Sequence, residues 1–204
     1  MKVVSVFNQK GGSGKTMLSV HLAVAAQQAG RKVAILDLDP QGSACLWRKV
    51  RKYDTPVVVA VPEGSLERAV AGAKADGFDF VLIDSPPSVS ASAARIVGVA
   101  DLVVIPVKPG PFDLGALPAT LRLVGDKKTV FVLSDCPQRA PEITETRDYL
   151  AQFGKPIIGQ VNNRRAFFRA LTSGQAVAEF EPDGIPAGEI QEIFGNILKE
   201  LTHE

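Results

Sequence analysis

The chain has little cysteine, almost no net charge and no long apolar run. Its 204 residues include two cysteines, Cys45 and Cys136, which lie far apart and in no metal-ligand spacing. A disulfide framework is therefore not expected, and a reduced, cytoplasmic setting is the natural interpretation. The formal net charge of +1 argues against a polybasic binder of nucleic acid, although a local basic patch stays open.

No stretch approaches the length that is needed to span a bilayer. The apolar run from Val3 to Phe7 is interrupted by Ser5 and is too short for a secretory signal. We therefore expect no membrane segment. With 46% hydrophobic and 22% charged residues, the composition is typical of a globular domain.

Short β-branched runs alternate with helical patterns almost to the C-terminus, which is typical of a parallel sheet covered by helices on both faces. The candidate strands are Lys2–Phe7, Val33–Asp37, Val57–Val61, Phe80–Asp84, Leu102–Val107, Thr129–Ser134 and Pro156–Val161. The candidate helices include Gly14–Ala29, Glu142–Phe153, Ala166–Leu171 and Ala187–Leu201. Because no repeat or linker divides the chain, the sequence predicts one doubly wound α/β domain over residues 1–204. Ligands of such folds bind at the carboxyl ends of the strands.

A glycine-rich loop lies between the first predicted strand and the first predicted helix. Glycines let backbone N–H groups close around phosphate oxygens, and a helix N-terminus adds the positive end of its dipole. Lys15 is expected to place a charge at the β- and γ-phosphates, and the Thr16 hydroxyl can complete the coordination of Mg²⁺. The residues predicted to bind ATP or ADP are Lys10, Gly11, Gly12, Ser13, Gly14, Lys15, Thr16 and Met17.

The loop resembles that of the deviant Walker-A ATPases of the ParA/MinD family. Their pattern, K-G-G-x-G-K-[ST], is matched at every position from Lys10 to Thr16. The resemblance implies a P-loop NTPase fold and a homodimer with ATP at its interface, in which Lys10 reaches the phosphates of the partner subunit. A positive charge supplied in trans is the device that an arginine finger uses. Lys10 and Lys15 are thus expected to take part in catalysis; a solvated loop lysine is the alternative for Lys10.

Two predicted strands end in carboxylates. Asp37 and Asp39 lie two residues apart, so they share a face, and the string D-x-D-P-Q-G resembles the first switch region of the family. The resemblance implies that Asp39 orients or activates the attacking water and that Asp37 lies near the Mg²⁺ shell. Asp84 ends an apolar strand as a Walker-B-like residue and is expected to hold Mg²⁺ through a water, while 85–87 resembles the second switch. The predicted metal residues are therefore Thr16, Asp37 and Asp84.

The later segments are less specific. Pro106 to Asp113 resembles the proline-bearing loop of the family. Asn162 and Asn163 follow the last predicted strand, where the family contacts adenine; they are expected to bind the base, although a turn is equally plausible. The phosphate loop follows the first strand at once, which resembles the small ParF-type partition ATPases that lack an N-terminal helix-turn-helix.

Three functions fit such a site. The favoured one is a DNA-partition ATPase: its ATP dimer binds nonspecific DNA, and a ParB-like or other cargo-binding adaptor stimulates slow hydrolysis to ADP and phosphate. This function implies association with the nucleoid in the ATP state. The alternatives are a MinD-like or other cargo-positioning ATPase and, third, a metabolic ATP-dependent enzyme. An iron–sulfur reductase is disfavoured because neither cysteine lies beside Asp84.

A MinD-like membrane anchor would require a C-terminal amphipathic helix with a basic face. An apolar stripe is present, formed by Ile190, Ile193, Phe194, Ile197, Leu198 and Leu201. The polar face carries Glu189, Glu192, Glu200 and Glu204 against Lys199 and His203. Because anionic lipid would repel this face, we expect the stripe to pack on the sheet and expect no membrane partner.

Binding of nonspecific DNA requires clustered cations that neutralise phosphates. One cluster spans Arg48 to Lys52, and a second consists of Arg164, Arg165 and Arg169. For each cluster taken alone, a solvated helix face is the favoured interpretation. The second cluster is the hypothesised contributor to DNA binding.

Overall fold

The computed structural model describes residues 1–87 and 92–202. The strands are β1 (Lys2–Val6), β2 (Val33–Asp37), β3 (Val57–Ala60), β4 (Phe80–Asp84), β5 (Leu102–Val107), β6 (Thr129–Cys136) and β7 (Ile157–Asn162). The helices are α1 (Lys15–Gln28), α2 (Ser43–Val50), α3 (Leu66–Ala75), α4 (Ser92–Val99), α5 (Pro111–Val124), α6 (Pro141–Ala151), α7 (Arg165–Thr172), α8 (Val177–Phe180) and α9 (Ile185–Thr202). Each strand and helix named in the sequence analysis is confirmed to within two residues at either end.

The strands form one seven-stranded sheet in the order β3-β2-β4-β1-β5-β6-β7. All neighbouring pairs are parallel. Strands β2, β4 and β5 are buried along their whole length, as their continuous apolar runs predict. The predicted parallel α/β fold is therefore confirmed.

Two hydrophobic clusters cover the two faces of the sheet. One contains buried side chains of α1, α2, α7, α8 and α9, and the other contains those of α3 to α6. Successive side chains of β1 point to opposite faces of the sheet. Val4 and Val6 therefore belong to the first cluster, and Val3 belongs to the second.

The C-terminal helix packs on the sheet as predicted. Ile190, Ile193 and Ile197 are fully buried against the β7 side of the first cluster. The approach is close, because a Cβ on Gly159 of β7 would lie 2.3 Å from Ile193 Cγ1. His203 and Glu204, which belong to the predicted polar face, lie outside the described residues. Among the described residues, no helix is both long enough and apolar enough to span a membrane.

The strand order sets the position of the site. Strand β1 lies between β4 and β5, and β2 lies on the other side of β4. Asp37 at the end of β2 is in register with Asp84 at the end of β4, and Val6 of β1 also pairs with Asp84. The loop after β1 and both acidic strand ends therefore meet at one edge of the sheet.

Candidate nucleotide-binding site

The glycine-rich loop has the backbone of a phosphate cradle. Gly12 and Gly14 have φ angles of 74° and 94°, in the left-handed region that glycine adopts without strain. Helix α1 begins immediately afterwards at Lys15. The buried Ser134 hydroxyl donates a 2.8 Å hydrogen bond to the Ser13 carbonyl and so fixes the loop against β6. The buried Ser13 hydroxyl has no partner among the described residues.

Lys15 is held inside this loop. The residue is only 6% exposed, and its Nζ donates a 3.0 Å hydrogen bond to the Lys10 carbonyl. Burial lowers the pKa of Lys15, while the negative charges of Asp84 and Asp39 act in the opposite direction. An ammonium group that has lost much of its hydration is well placed to gain from a phosphate anion.

The surroundings of Asp84 show whether the site fits a divalent cation. The residue is fully buried; its Oδ1 accepts a 3.3 Å hydrogen bond from the Ser19 hydroxyl, and its Oδ2 has no partner among the described residues. Burial raises the pKa of Asp84 to about 7, with Thr16 hydrogen bonding opposing the shift and Asp37 adding to it. A buried carboxylate with an unpaired oxygen, beside a threonine hydroxyl, fits Mg²⁺ with its preference for oxygen ligands.

Asp37 has a different local role from Asp84. Its Oδ1 accepts the backbone N–H of Asp39 at 3.1 Å, and its Oδ2 accepts that of Cys45 at 2.9 Å. Cys45 lies in the first turn of α2, so Asp37 satisfies a free donor at the N-terminus of that helix. Asp37 thus lies near the predicted metal position, with each of its oxygens already accepting one hydrogen bond.

Asp39 faces the phosphate loop. It lines a pocket of about 300 Å³ whose other lining residues are Gly12, Gly14, Lys15, Thr16, Met17, Ser43 and Pro87. The Oδ1 atom of Asp39 accepts the backbone N–H of Gln41 at 2.9 Å, which orients the carboxylate. The pocket brings one residue of each predicted switch region, Asp39 and Pro87, to the loop. Ser43 was missed because it belongs to no recognised motif.

Lys10 lies in a contact that sequence reasoning did not predict. Its Nζ donates a 2.9 Å hydrogen bond to Asp113 Oδ2 of its own chain. The backbone N–H of Lys10 bonds to Asn8 Oδ1 at 2.9 Å, and the same oxygen accepts the Thr120 hydroxyl at 3.3 Å. The Asn8 amide also donates to the Pro106 carbonyl at 2.8 Å. The loop is thereby fastened to β5 and α5.

The two asparagines predicted to bind adenine differ in their contacts. Asn162 donates its side-chain amide to Glu189 at 2.6 Å and accepts from Gln160 at 2.8 Å, so both ends of its side chain are engaged. Asn163 is exposed and donates to Asp135 at 2.7 Å. Both line a second pocket of about 310 Å³, together with Gly14, Met17, Lys108, Asp135, Val161, Arg164, Phe167, Phe168 and Leu171. This pocket adjoins the phosphate loop at Gly14 and Met17.

The predicted basic clusters are only partly available to DNA. Arg51, a member of the first cluster, is not available to DNA, because its side chain is completely buried and makes two hydrogen bonds of 2.7 and 2.8 Å to Glu179. Arg164 pairs with Glu189 at 3.4 Å. Arg165 is exposed and Arg169, also exposed, lies over the Phe180 ring.

These features can be compared with known proteins. The family model described as the CobQ/CobB/MinD/ParA nucleotide binding domain matches residues 4–177. The chain belongs to this family. The predicted ParA/MinD membership is thus confirmed, and with it a nucleotide as ligand.

Among its relatives is the maintenance of carboxysome distribution protein A of Gloeobacter kilaueensis, which is 30% identical over 100% of this chain and 95% of the relative. Protein ParA of Rhizobium radiobacter is 27% identical over 84% of this chain and 82% of the relative. The septum site-determining protein MinD of Pyrococcus horikoshii, solved with Mg-ADP, is 16% identical, with a TM-score of 0.76 over 96% of this chain and 95% of that one. The last likeness confirms the fold.

Proposed function

We propose that the protein is a Mg-ATP-dependent dimerising ATPase that positions a cargo by binding nonspecific DNA in its ATP state. The observation that carries this proposal is the buried Lys15, placed in a glycine-rich loop with Asp84 and Asp39 close enough to act on its charge. In the proposed function, that arrangement supplies a cradle for the phosphates, Asp84 for the cation, and Asp39 as a second carboxylate that lines the same pocket as the loop. The cofactor is ATP or ADP with Mg²⁺.

Each residue has a separate task in the proposed hydrolysis. Lys15 binds the β- and γ-phosphates, and Asp84 with Thr16 holds Mg²⁺, which when bound neutralises charge on the phosphate oxygens. Asp39 orients or activates the attacking water. Lys10 acts from the partner subunit, so that the complete site exists only in the dimer. Catalysis by positioning and charge alone is compatible with slow turnover that an adaptor protein accelerates.

The relatives indicate two kinds of cargo. A protein named for carboxysome distribution matches the whole of this chain, while a ParA protein matches 84% of it. We therefore place positioning of a protein assembly beside partition of DNA as the cargo of the same switch. In both cases an adaptor bound to the cargo stimulates hydrolysis and release, and the ATP dimer associates with the nucleoid.

The DNA contact is proposed at Arg165 and Arg169 of α7. Both are exposed and lie on one short helix, and a dimer presents the pair twice. Arg164 contributes less, because it is already paired with Glu189.

A gel-shift assay with nonspecific duplex DNA tests this part of the proposal. With ATP and Mg²⁺, the Asp39→Ala protein should retain DNA. The double variant Arg165→Ala with Arg169→Ala should retain DNA at least about fivefold more weakly. The matched control is Arg68→Ala with Lys74→Ala, which removes two exposed cations of α3 and should change little. Equal retention by ATP and ADP forms, or an equal loss in the control, would contradict the proposal.

A further inference from the structure

The contact between Lys10 and Asp113 joins two residues that are 103 positions apart. Asp113 lies in the first turn of α5, and Lys10 is the first residue of the phosphate loop. The Asp113 side chain is 10% exposed and that of Lys10 is 32% exposed, so the lysine covers a mostly buried carboxylate. The second carboxylate oxygen, Oδ1, is buried and has no partner among the described residues.

Because Asp113 is more buried than Lys10, loss of this contact affects Asp113 more than Lys10. Lys10 is the only charged partner of Asp113 among the described residues, and a buried carboxylate that loses such a partner has little solvent to replace it. Lys10 therefore leaves Asp113 only when another interaction compensates. The anchoring of the Lys10 backbone by Asn8 restricts the motion to the side chain.

The same turn of α5 also carries an exposed aromatic side chain. Phe112, the neighbour of Asp113, is 81% exposed, so a surface that a second subunit could cover lies directly beside the contact. A lysine that turned outward here would move from Asp113 toward that second subunit.

We propose that Asp113 is a positioning residue for Lys10: it holds the lysine within its own subunit, and release of this contact controls closure of the ATP dimer. The inference rests on the proposed function, in which Lys10 acts across the dimer interface. Phosphates of a nucleotide bound to the partner replace the Asp113 carboxylate as the anionic partner of Lys10. In the absence of ATP, Asp113 therefore opposes dimer formation.

The variant that tests the inference is Asp113→Asn, which keeps the shape of the side chain and removes its charge. The matched control is Asp54→Asn, which removes the exposed partner of Arg48 and changes the net charge equally. Two measurements are made on the full-length protein. The first is labelling of lysines by an amine-reactive ester in the absence of nucleotide, read by mass spectrometry, which reports whether Lys10 is restrained. Sedimentation velocity with ATP and Mg²⁺ reports the protein concentration at half-maximal dimerisation.

In Asp113→Asn, labelling of Lys10 should rise at least about threefold while labelling of the exposed Lys74 stays constant. The protein concentration at half-maximal dimerisation should fall at least about threefold. The control should match the wild type in both. Unchanged Lys10 labelling would overturn the restraint. Raised labelling with unchanged or weaker dimerisation would overturn its control of closure. If the wild type itself stays monomeric with ATP, the proposed function fails and so does the control of closure, while the labelling still decides whether Asp113 restrains Lys10.

Discussion

His21 is a buried titratable residue outside the nucleotide site. Its Nδ1 accepts the backbone N–H of Val177 at 3.1 Å, and its ring packs edge-on against Phe167 at a centroid distance of 5.2 Å. The Nε2 atom is buried without a partner among the described residues. Burial lowers the pKa of His21 from 6.5 to about 3, so the folded protein keeps this ring neutral.

This neutral ring predicts a loss of stability in acid. Between pH 6.5 and about 3 the unfolded chain binds a proton at His21 that the folded chain does not, so the free energy of unfolding falls as the pH falls. From pH 7.5 to 5.5 the contribution of His21 is about 1.4 kcal/mol. Urea unfolding at both pH values should show this extra loss in the wild type and not in His21→Met. The interpretation is wrong if the two proteins lose equal stability.

At the scale of secondary-structure elements, an ion pair between the buried Arg51 side chain and the partly buried Glu179 joins the end of α2 to α8. Gly174, in the segment between α7 and α8, packs against the same end of α2. Arg51 bonds to Glu179 and donates to the Gly174 carbonyl at 3.0 Å. Gly174 has a φ of 71°, and a Cβ there would lie 2.6 Å from backbone atoms of Val50 and Arg51. The two segments approach so closely that only glycine fits.

Gly174→Ala should therefore lower the free energy of unfolding by about 2 kcal/mol or more, through both backbone strain and collision. The control is Gly115→Ala in the exposed part of α5, where no atom lies within 4 Å of the new Cβ. Alanine favours a helix interior over glycine, so this change should raise stability by about 0.5–1 kcal/mol. Denaturant unfolding of both variants measures the difference, and a Gly174→Ala protein as stable as the wild type would contradict the close packing.

Much of the element structure was predictable because it depends on local pattern. Continuous apolar runs identify β2, β4 and β5, and the string from Lys10 to Thr16 marks the loop between β1 and α1. The positions of Asp37 and Asp84 at strand ends also follow from these runs. Their side-by-side register, however, depends on β4 pairing with β2, which no local pattern encodes.

The contacts that complete the site could not be predicted for the same reason. Asp113 reaches Lys10 because β1 and β5 are neighbours in the sheet although they are far apart in the chain. The burial of Arg51 likewise depends on Glu179, which lies 128 residues away. A run of basic residues gives no sign of which member is buried, and so the cluster from Arg48 to Lys52 was predicted as if it were uniform.

At the scale of the whole molecule, the sheet brings the phosphate loop, two acidic strand ends and Lys10 to one edge. In the single chain, Lys10 is engaged by Asp113. In the proposed function, the active site is complete only when two subunits meet around nucleotide. The residue roles at this edge stay predictions, including that of Asp39 and those of Asn162 and Asn163, which are predicted to bind adenine. Together, these predicted roles imply that the oligomeric state of the protein depends on ATP.

Sedimentation velocity of the Asp39→Ala protein, with ATP or ADP and Mg²⁺, tests this claim most directly. If Asp39 serves hydrolysis and Lys15 serves binding, Asp39→Ala should be a dimer with ATP and a monomer with ADP. The double variant Lys15→Ala with Asp39→Ala should stay monomeric with either nucleotide. An Asp39→Ala protein that remains monomeric with ATP, or that dimerises equally with ADP, would contradict the account.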